Sequence, residues 1–187
     1  MLLAGGPDDA RSMKPRTTAS RTTGTFARLR AEHGRALDRL KKFERALRTA
    51  SQRGRDRRPF QVVCRYLAGG FSAHLAVEEA VVYPALIQNL PELALTFEPL
   101  REEHAEIRDM IRSLAGLLTR PSTPHRDEQL VVMGRDLTDL LRLHMHKEER
   151  SVLDWSERVL PAPVQAELKR RIARALSTAS ARNRLRP

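Results

Sequence analysis

The sequence is short of what extracellular scaffolds and membrane proteins are built from. It has one cysteine, Cys64, in 187 residues. That excludes an internal disulfide framework and any paired-cysteine metal or redox motif, and makes the reducing cytoplasm the expected compartment. No apolar run approaches the roughly 18–20 residues that a transmembrane helix needs. The opening MLLAGGPDDA has no basic region and only a brief apolar one, so no secretory signal is expected. Aromatic residues make up only 4% and β-branched runs are few, which disfavours a sheet protein. What the chain does have is Arg, Ala and Leu, with 41% hydrophobic and 30% charged residues. That composition predicts one ordinary all-helical domain with a real core.

The formal charge of +11 is unevenly spread. Residues 59–166 carry eleven basic and sixteen acidic side chains, whereas residues 167–187 carry seven basic and one acidic, and residues 48–58 five and one. The positive charge therefore sits at the two ends and in one loop. A nucleic acid or an acidic protein engaging the basic ends is the weaker reading; solvated Arg-rich tails are the stronger one.

Residues 1–24 mix Gly, Pro, Ser, Thr and Arg without a period and read as a disordered basic N-terminal tail. Four apolar stripes at helical spacing follow. They run from Phe26 to Leu47, from Phe60 to Ala85, from Phe97 to Leu118 and from Leu130 to Trp155. Short connections between them predict an up-down-up-down four-helix bundle over residues 25–160. After the break LPAPV, an additional short C-terminal helix is expected at QAELKRRIARALS, followed by a basic tail, within residues 161–187. Pro84 and Pro99 are each expected to kink a helix or mark its start. Gly69 and Gly70 should weaken the second helix and permit close backbone packing there.

The informative residues are polar ones on inward stripes. Each predicted helix contributes one histidine: His33, His74, His104 and His144. Glu78 and Glu148 join them in HLAVEE and HMHKEE, which share one His-x-x-x-Glu-Glu pattern. At that spacing His and Glu project from the same helix face about 6 Å apart. Counted from the turns, His33 and His74 both lie about 24–26 Å from the first connection, and the other two pairs match within a fraction of a turn. All four histidines thus fall in one layer. Burying them with two carboxylates and no compensating cation would cost several kcal/mol per group. Imidazole with carboxylate suits iron, manganese or zinc, and six donors favour two ions. The Glu-x-x-His order of ferritin-like di-iron proteins is absent, since the residues three before the six histidines are Arg30, Phe71, Arg101, Ser122, Leu141 and Leu143.

The combined pattern of His33, HLAVEEAVVYP, REEHAEI and HMHKEERSVL resembles the haemerythrin-like family, the HHE cation-binding domain, over about residues 25–160. The resemblance implies a non-haem centre of two iron ions. His33 and His74 would bind one, His104 and His144 the other, with Glu78, Glu148 and an oxo or hydroxo group bridging. Oxygen-carrying members place a fifth histidine where this chain has Arg108. Open iron positions then favour reaction with O2, peroxide or NO, in stress response, sensing or iron handling, over reversible oxygen carriage. An alternative is a regulatory module whose iron and oxygen occupancy controls a partner bound through the basic tails. No substrate is identifiable.

Other polar residues are expected to be peripheral. His146 should face solvent and His125 should lie in a loop. Glu79 and Glu149, which follow proposed ligands, are expected in solvent salt bridges, with supporting hydrogen bonds to the ligands the weaker reading, and Arg108 in a surface pair with Glu103 or Glu106. Tyr66, Tyr83 and Trp155 are expected to be packing residues, and Cys64 lies about 15 Å along its helix from His74.

Overall fold

The structure, a computed structural model, describes residues 23–53 and 56–184. Among the described residues all regular structure is helical. Helix α1 is Ala27–Arg53, α2 spans residues 58–89, α3 is Ala94–Leu118 after a short 3-10 turn at Pro91–Leu93, α4 spans residues 124–159 and α5 is Ala162–Arg184. Helices α1 to α4 form the expected bundle, in which α1 contacts α2, α2 contacts α3, α3 contacts α4 and α4 closes onto α1. The expected tails at residues 1–22 and 185–187, and positions 54–55 of the first connection, lie outside the described residues.

Local chemistry sets the boundaries. Pro59 occupies the first turn of α2 and Pro124 that of α4, where the missing N–H has no helical partner to lose. The Thr123 hydroxyl caps α4 by accepting from the Arg126 amide, one of the donors left free at a helix start. Pro99 lies inside α3, whereas Pro84 opens the final α-helical segment of α2.

Neither α2 nor α4 is a uniform α-helix. Wider π turns occur at Leu67–Phe71 and Glu78–Val82 in α2 and at Glu148–Leu153 in α4. The buried residues explain them. His144, Glu148, Val152, Ser156 and Leu160 are all buried at strict intervals of four. In a regular helix each step of four overshoots a full turn by about 40°, so five such positions could not share one face. A π turn absorbs the excess. In α2 the same holds for His74, Glu78, Val82 and Leu86. The Ser72 hydroxyl donates to the Leu67 carbonyl at 2.8 Å across the first π turn.

The core divides into two apolar slabs. One, towards the α1–α2 connection, includes Leu40, Phe43, Leu67, Phe71, Ile107, Ile111 and Leu141. The other includes Phe26, Leu29, Val82, Tyr83, Leu86, Phe97, Leu100 and Val152. On every bundle helix the conspicuous polar residues fall between these sets: His33 after Leu29, His74 and Glu78 after Phe71, His104 between Leu100 and Ile107, and His144 and Glu148 after Leu141.

Helix α5 is longer than the predicted short segment, at 23 residues. Leu168, Ile172 and Leu176 are buried in the second slab. The helix lies along α2, and the Arg28 guanidinium donates to the Ala173 carbonyl at 2.8 Å. A Cβ added at Gly69 would sit 2.8 Å from the Asn183 side chain. The close approach expected at Gly69 is therefore made by the far end of α5, and these contacts carry the helix beyond its last strongly apolar position.

Candidate metal centre

His33, His74, Glu78, His104, His144 and Glu148 are all buried, none more than 1% exposed. They converge as two overlapping groups of donors, each with its atoms within 4.8 Å of one another. The first comprises His33, His74, Glu78 and Glu148; the second comprises Glu78, His104 and His144. Glu78 belongs to both. Its Oε1 lies 2.8 Å from His74 Nε2 and 3.6 Å from His33 Nε2, and its Oε2 lies 3.7 Å from His104 Nε2. Glu148 Oε2 lies 3.4 Å from His33 Nε2 and 3.9 Å from His144 Nε2, and its Oε1 accepts a hydrogen bond from the Tyr83 hydroxyl at 3.0 Å.

A second ring of carboxylates surrounds these donors. His104 Nδ1 donates to Glu79 at 2.8 Å, His144 Nδ1 to Glu103 at 3.0 Å and His33 Nδ1 to Glu149 at 3.3 Å. His74 Nδ1 lies 3.4 Å from Glu32. The ring is cyclic: α1 supplies the carboxylate for the α2 histidine, α2 for α3, α3 for α4, and α4 for α1. An ionised carboxylate only accepts, so a neutral ring that bonds one through Nδ1 carries its proton there and keeps the Nε2 lone pair for a metal. All four Nε2 atoms point inward. Outer carboxylates of this kind fix the tautomer and orientation of metal-ligating histidines. From outside, Arg35 pairs with Glu32 at 3.0 Å, Arg108 with Glu79 at 2.9 Å and Lys147 with Glu103 at 2.5 Å.

The inner atoms suit a cation. His33 Nε2, both His74 ring nitrogens, both Glu78 oxygens and Glu148 Oε2 are buried without a hydrogen-bond partner. Each such atom is costly to bury. His104 Nε2 and His144 Nε2 face one another at 3.0 Å. The electrostatics agree. Burial pushes His74 down, but the Glu78 and Glu32 carboxylates overcome this and hold it up at about 8. For His33, too, burial acts downward and is overcome by Glu148, Glu149 and Glu78, leaving it well above its ordinary range. For Glu78, burial acts upward and the His74 and His33 rings outweigh it, holding the carboxyl well below the usual range. At His104 burial wins, and the ring is lowered. The first group, in particular, is built to hold positive charge.

Residues 20–156 match the family model of the hemerythrin HHE cation-binding domain. The chain belongs to this family. No curated protein and no solved structure gives a significant match. Membership of the haemerythrin family and the buried His/Glu cluster together make this a metal-binding protein. Among the described residues no helix is long and apolar enough to cross a membrane.

Several residues expected at the periphery of the haemerythrin bundle sit elsewhere. Glu79 and Glu149 hydrogen-bond to histidines of the centre instead of forming only solvent salt bridges. Glu103 touches His144 Nδ1, on the outer side of the ring. Arg108 points to Glu79, not to Glu103 or Glu106, so it stands behind His104 and not among the inner donors. Tyr83 is fully buried, stacked between Phe97 and His104, with its hydroxyl inside the site. Burial and the nearby Glu148 and Glu78 charges push that phenol far above its usual range, so it acts as a donor. Tyr66 is a packing residue under Arg39, and Trp155 packs on the second slab. His146 is exposed as expected, and His125 lies in the first turn of α4 instead of in a loop. Cys64 is buried, with its thiol against the Ile111 carbonyl.

Proposed function

We propose that the protein holds two iron ions in this centre and uses them to bind or react with small oxidants: O2, peroxide or NO. The ligands are His33, His74, Glu78, His104, His144 and Glu148. The observation that carries the reading is the pair of donor groups joined through Glu78, whose inner atoms are buried and otherwise unpartnered. Two groups sharing one carboxylate suit a pair of ions better than one. Histidine and carboxylate without thiolate is a donor set for non-haem iron. Bound there, the iron pair supplies electrons to an oxidant.

This chain's own residues determine what reaches the centre and how it is held. The donors lie between two apolar slabs, an environment that favours small neutral molecules over charged substrates. The outer carboxylates keep the imidazoles aligned, and Arg108 and Lys147 balance part of their charge on α3 and α4. With Arg108 turned to Glu79, no fifth histidine completes the second group. The reduced, iron-loaded protein is therefore expected to be oxidised by oxygen or peroxide instead of oxygenating reversibly. Iron quantitation together with optical spectra of oxidised and reduced protein tests the reading. Close to two irons per chain is the expected result. A protein that takes up no iron overturns it, and a charge-transfer band that comes with oxygen and goes on its removal restores reversible carriage.

A further inference from the structure

Part of the C-terminal basic charge borders a groove that the metal centre does not use. Beside α5, the outer face of α2 carries small uncharged side chains. Ala68, Ser72, Ala76 and Ala80 follow one another at intervals of four, and a parallel row runs from Gly69 to Val81 at the same interval. Both rows line one groove of about 820 Å³. In a regular helix such rows would wind off the face by about 40° at each step. The π turns at Leu67–Phe71 and Glu78–Val82 absorb that excess, as they do for the inward residues, and the rows stay straight. Beyond Arg65, α2 has no Lys or Arg and only two carboxylates, Glu78 and Glu79, both turned to histidines of the centre.

The opposite wall of the groove is α5. Arg171, Arg174 and Arg182 line it, and no lining residue is acidic. All three arginines are exposed, and from first to last they span about 16 Å along the helix. Among the described residues, none of the three makes a side-chain hydrogen bond or salt bridge. Glu167, the one carboxylate of α5, is held by Arg170 at 2.7 Å; Arg171 and Arg174 sense its charge without contacting it.

We propose that this groove docks an amphipathic helix of a partner protein, which lays small apolar residues along α2 and carboxylates along Arg171, Arg174 and Arg182. Small side chains on α2 let a second helix approach to the short end of the usual axis separation of about 8–10 Å. A helix seated in an apolar groove is a recurrent mode of recognition, and each guanidinium can fork onto a carboxylate. Charge complementarity selects an acidic partner. Nucleic acid fits less well. No lining residue is aromatic, so bases have nothing to stack on, and Ser72 alone supplies a hydrogen-bonding side chain from α2. None of these residues is a metal donor, so the proposal stands apart from the two-iron reading.

The test is fluorescence anisotropy of the full-length protein with a labelled synthetic helix as probe. The peptide is alanine-rich, about 15 residues long, with glutamates at i, i+4 and i+11 to match the three arginines. The wild-type protein should bind it saturably, and should bind the glutamine version about tenfold more weakly. Arg174→Glu should lose about tenfold in affinity for the glutamate peptide, and should bind a peptide with lysine at the middle glutamate better than the wild type does. Ala76→Trp, which fills the groove from an exposed position, should lose at least as much. Arg58→Ala, in the separate groove between α1 and α2, should change nothing. Absence of saturable binding overturns the proposal, as does full affinity in Ala76→Trp or an equal loss in Arg58→Ala and Arg174→Glu. Self-association of the wild type that Ala76→Trp abolishes would assign the groove to a second copy of this chain and overturn it too. So would a DNA duplex that displaces the peptide and loses affinity in the same variants. If Ala76→Trp does not fold, the exchange of charge between Arg174→Glu and the lysine peptide decides the matter.

Discussion

At the scale of single residues, the centre depends on neighbours in sequence that face different ways. A residue next to an inward-facing one points about 100° around the helix, which in a bundle is towards the adjoining helix. Glu32 beside His33, Glu79 beside Glu78, Glu103 beside His104 and Glu149 beside Glu148 all use this geometry to reach a histidine of the next helix. The six inner residues were legible in the sequence because they break apolar stripes. The outer four were less so: Glu79 and Glu149 stood out only as neighbours of inner residues, and a glutamate at the edge of a helix resembles any solvated charge. The signal was their regularity, one acidic neighbour of an inner residue on every bundle helix. Glu103→Ala is expected to lower iron affinity by about 10–100-fold, while Glu103→Gln, which can still accept from His144 Nδ1, should recover part of it. Equal loss in both, or none in either, would show that the glutamate does not orient the ring. Glu78→Ala should take iron content below one per chain, because Glu78 faces both groups; retention of two irons on metal analysis would remove it from the ligand set.

At the scale of elements, periodicity showed where the helices are but not how regularly they are wound. The intervals of four at His144, Glu148, Val152, Ser156 and Leu160 were visible, but only burial shows that all five face inward. The π turns follow from that conflict between spacing and face. The length of α5 was hidden for another reason: its C-terminal part is fixed by contacts with α2 that leave no apolar period. Small residues show the same dependence on neighbours. Gly34 and Gly116 are helical, and a Cβ at either meets nothing within 4 Å. Alanine there should raise stability by about 0.4–1 kcal/mol. At Gly134 a Cβ would lie 2.9 Å from the Phe43 ring and 3.1 Å from Leu47. Displacing a packed ring costs about 1–3 kcal/mol, which outweighs the helix-propensity gain. Chemical denaturation should thus rank Gly34→Ala above the parent protein and Gly134→Ala below it; a stabilised Gly134→Ala would mean that α1 and α4 are not held this closely.

At the scale of the whole molecule, the centre and the fold support one another. The first four helices and α5 share the second slab, so the folded unit extends past residue 156, where the family match ends. Cutting the chain after residue 160 should expose the partners of Leu168, Ile172 and Leu176, each worth about 1.5–3 kcal/mol, whereas a chain of residues 23–184 should keep its iron; equal stability of the two would place α5 outside the domain. Across the bundle, removing the cation leaves ligands from four helices facing one another, so the metal-free protein should melt at lower temperature. Its dependence on pH should also differ. In the metal-free centre His33 lies well above, and His74 at about 8 lies above, the ordinary histidine value of 6.5. Groups raised on folding bind protons more tightly in the native state, so they stabilise it fully below the unfolded value and lose that contribution as pH rises through the folded one. His104 is lowered, and its effect falls below pH 6.5, outside this window. Metal-free protein should therefore lose stability from pH 6.5 to about 8. The iron-loaded protein should not, because metal binding requires deprotonated imidazoles and is favoured as protons leave. Thermal melts of both forms across that interval check the difference, and parallel slopes would show that the histidines do not exchange a proton for a metal ion.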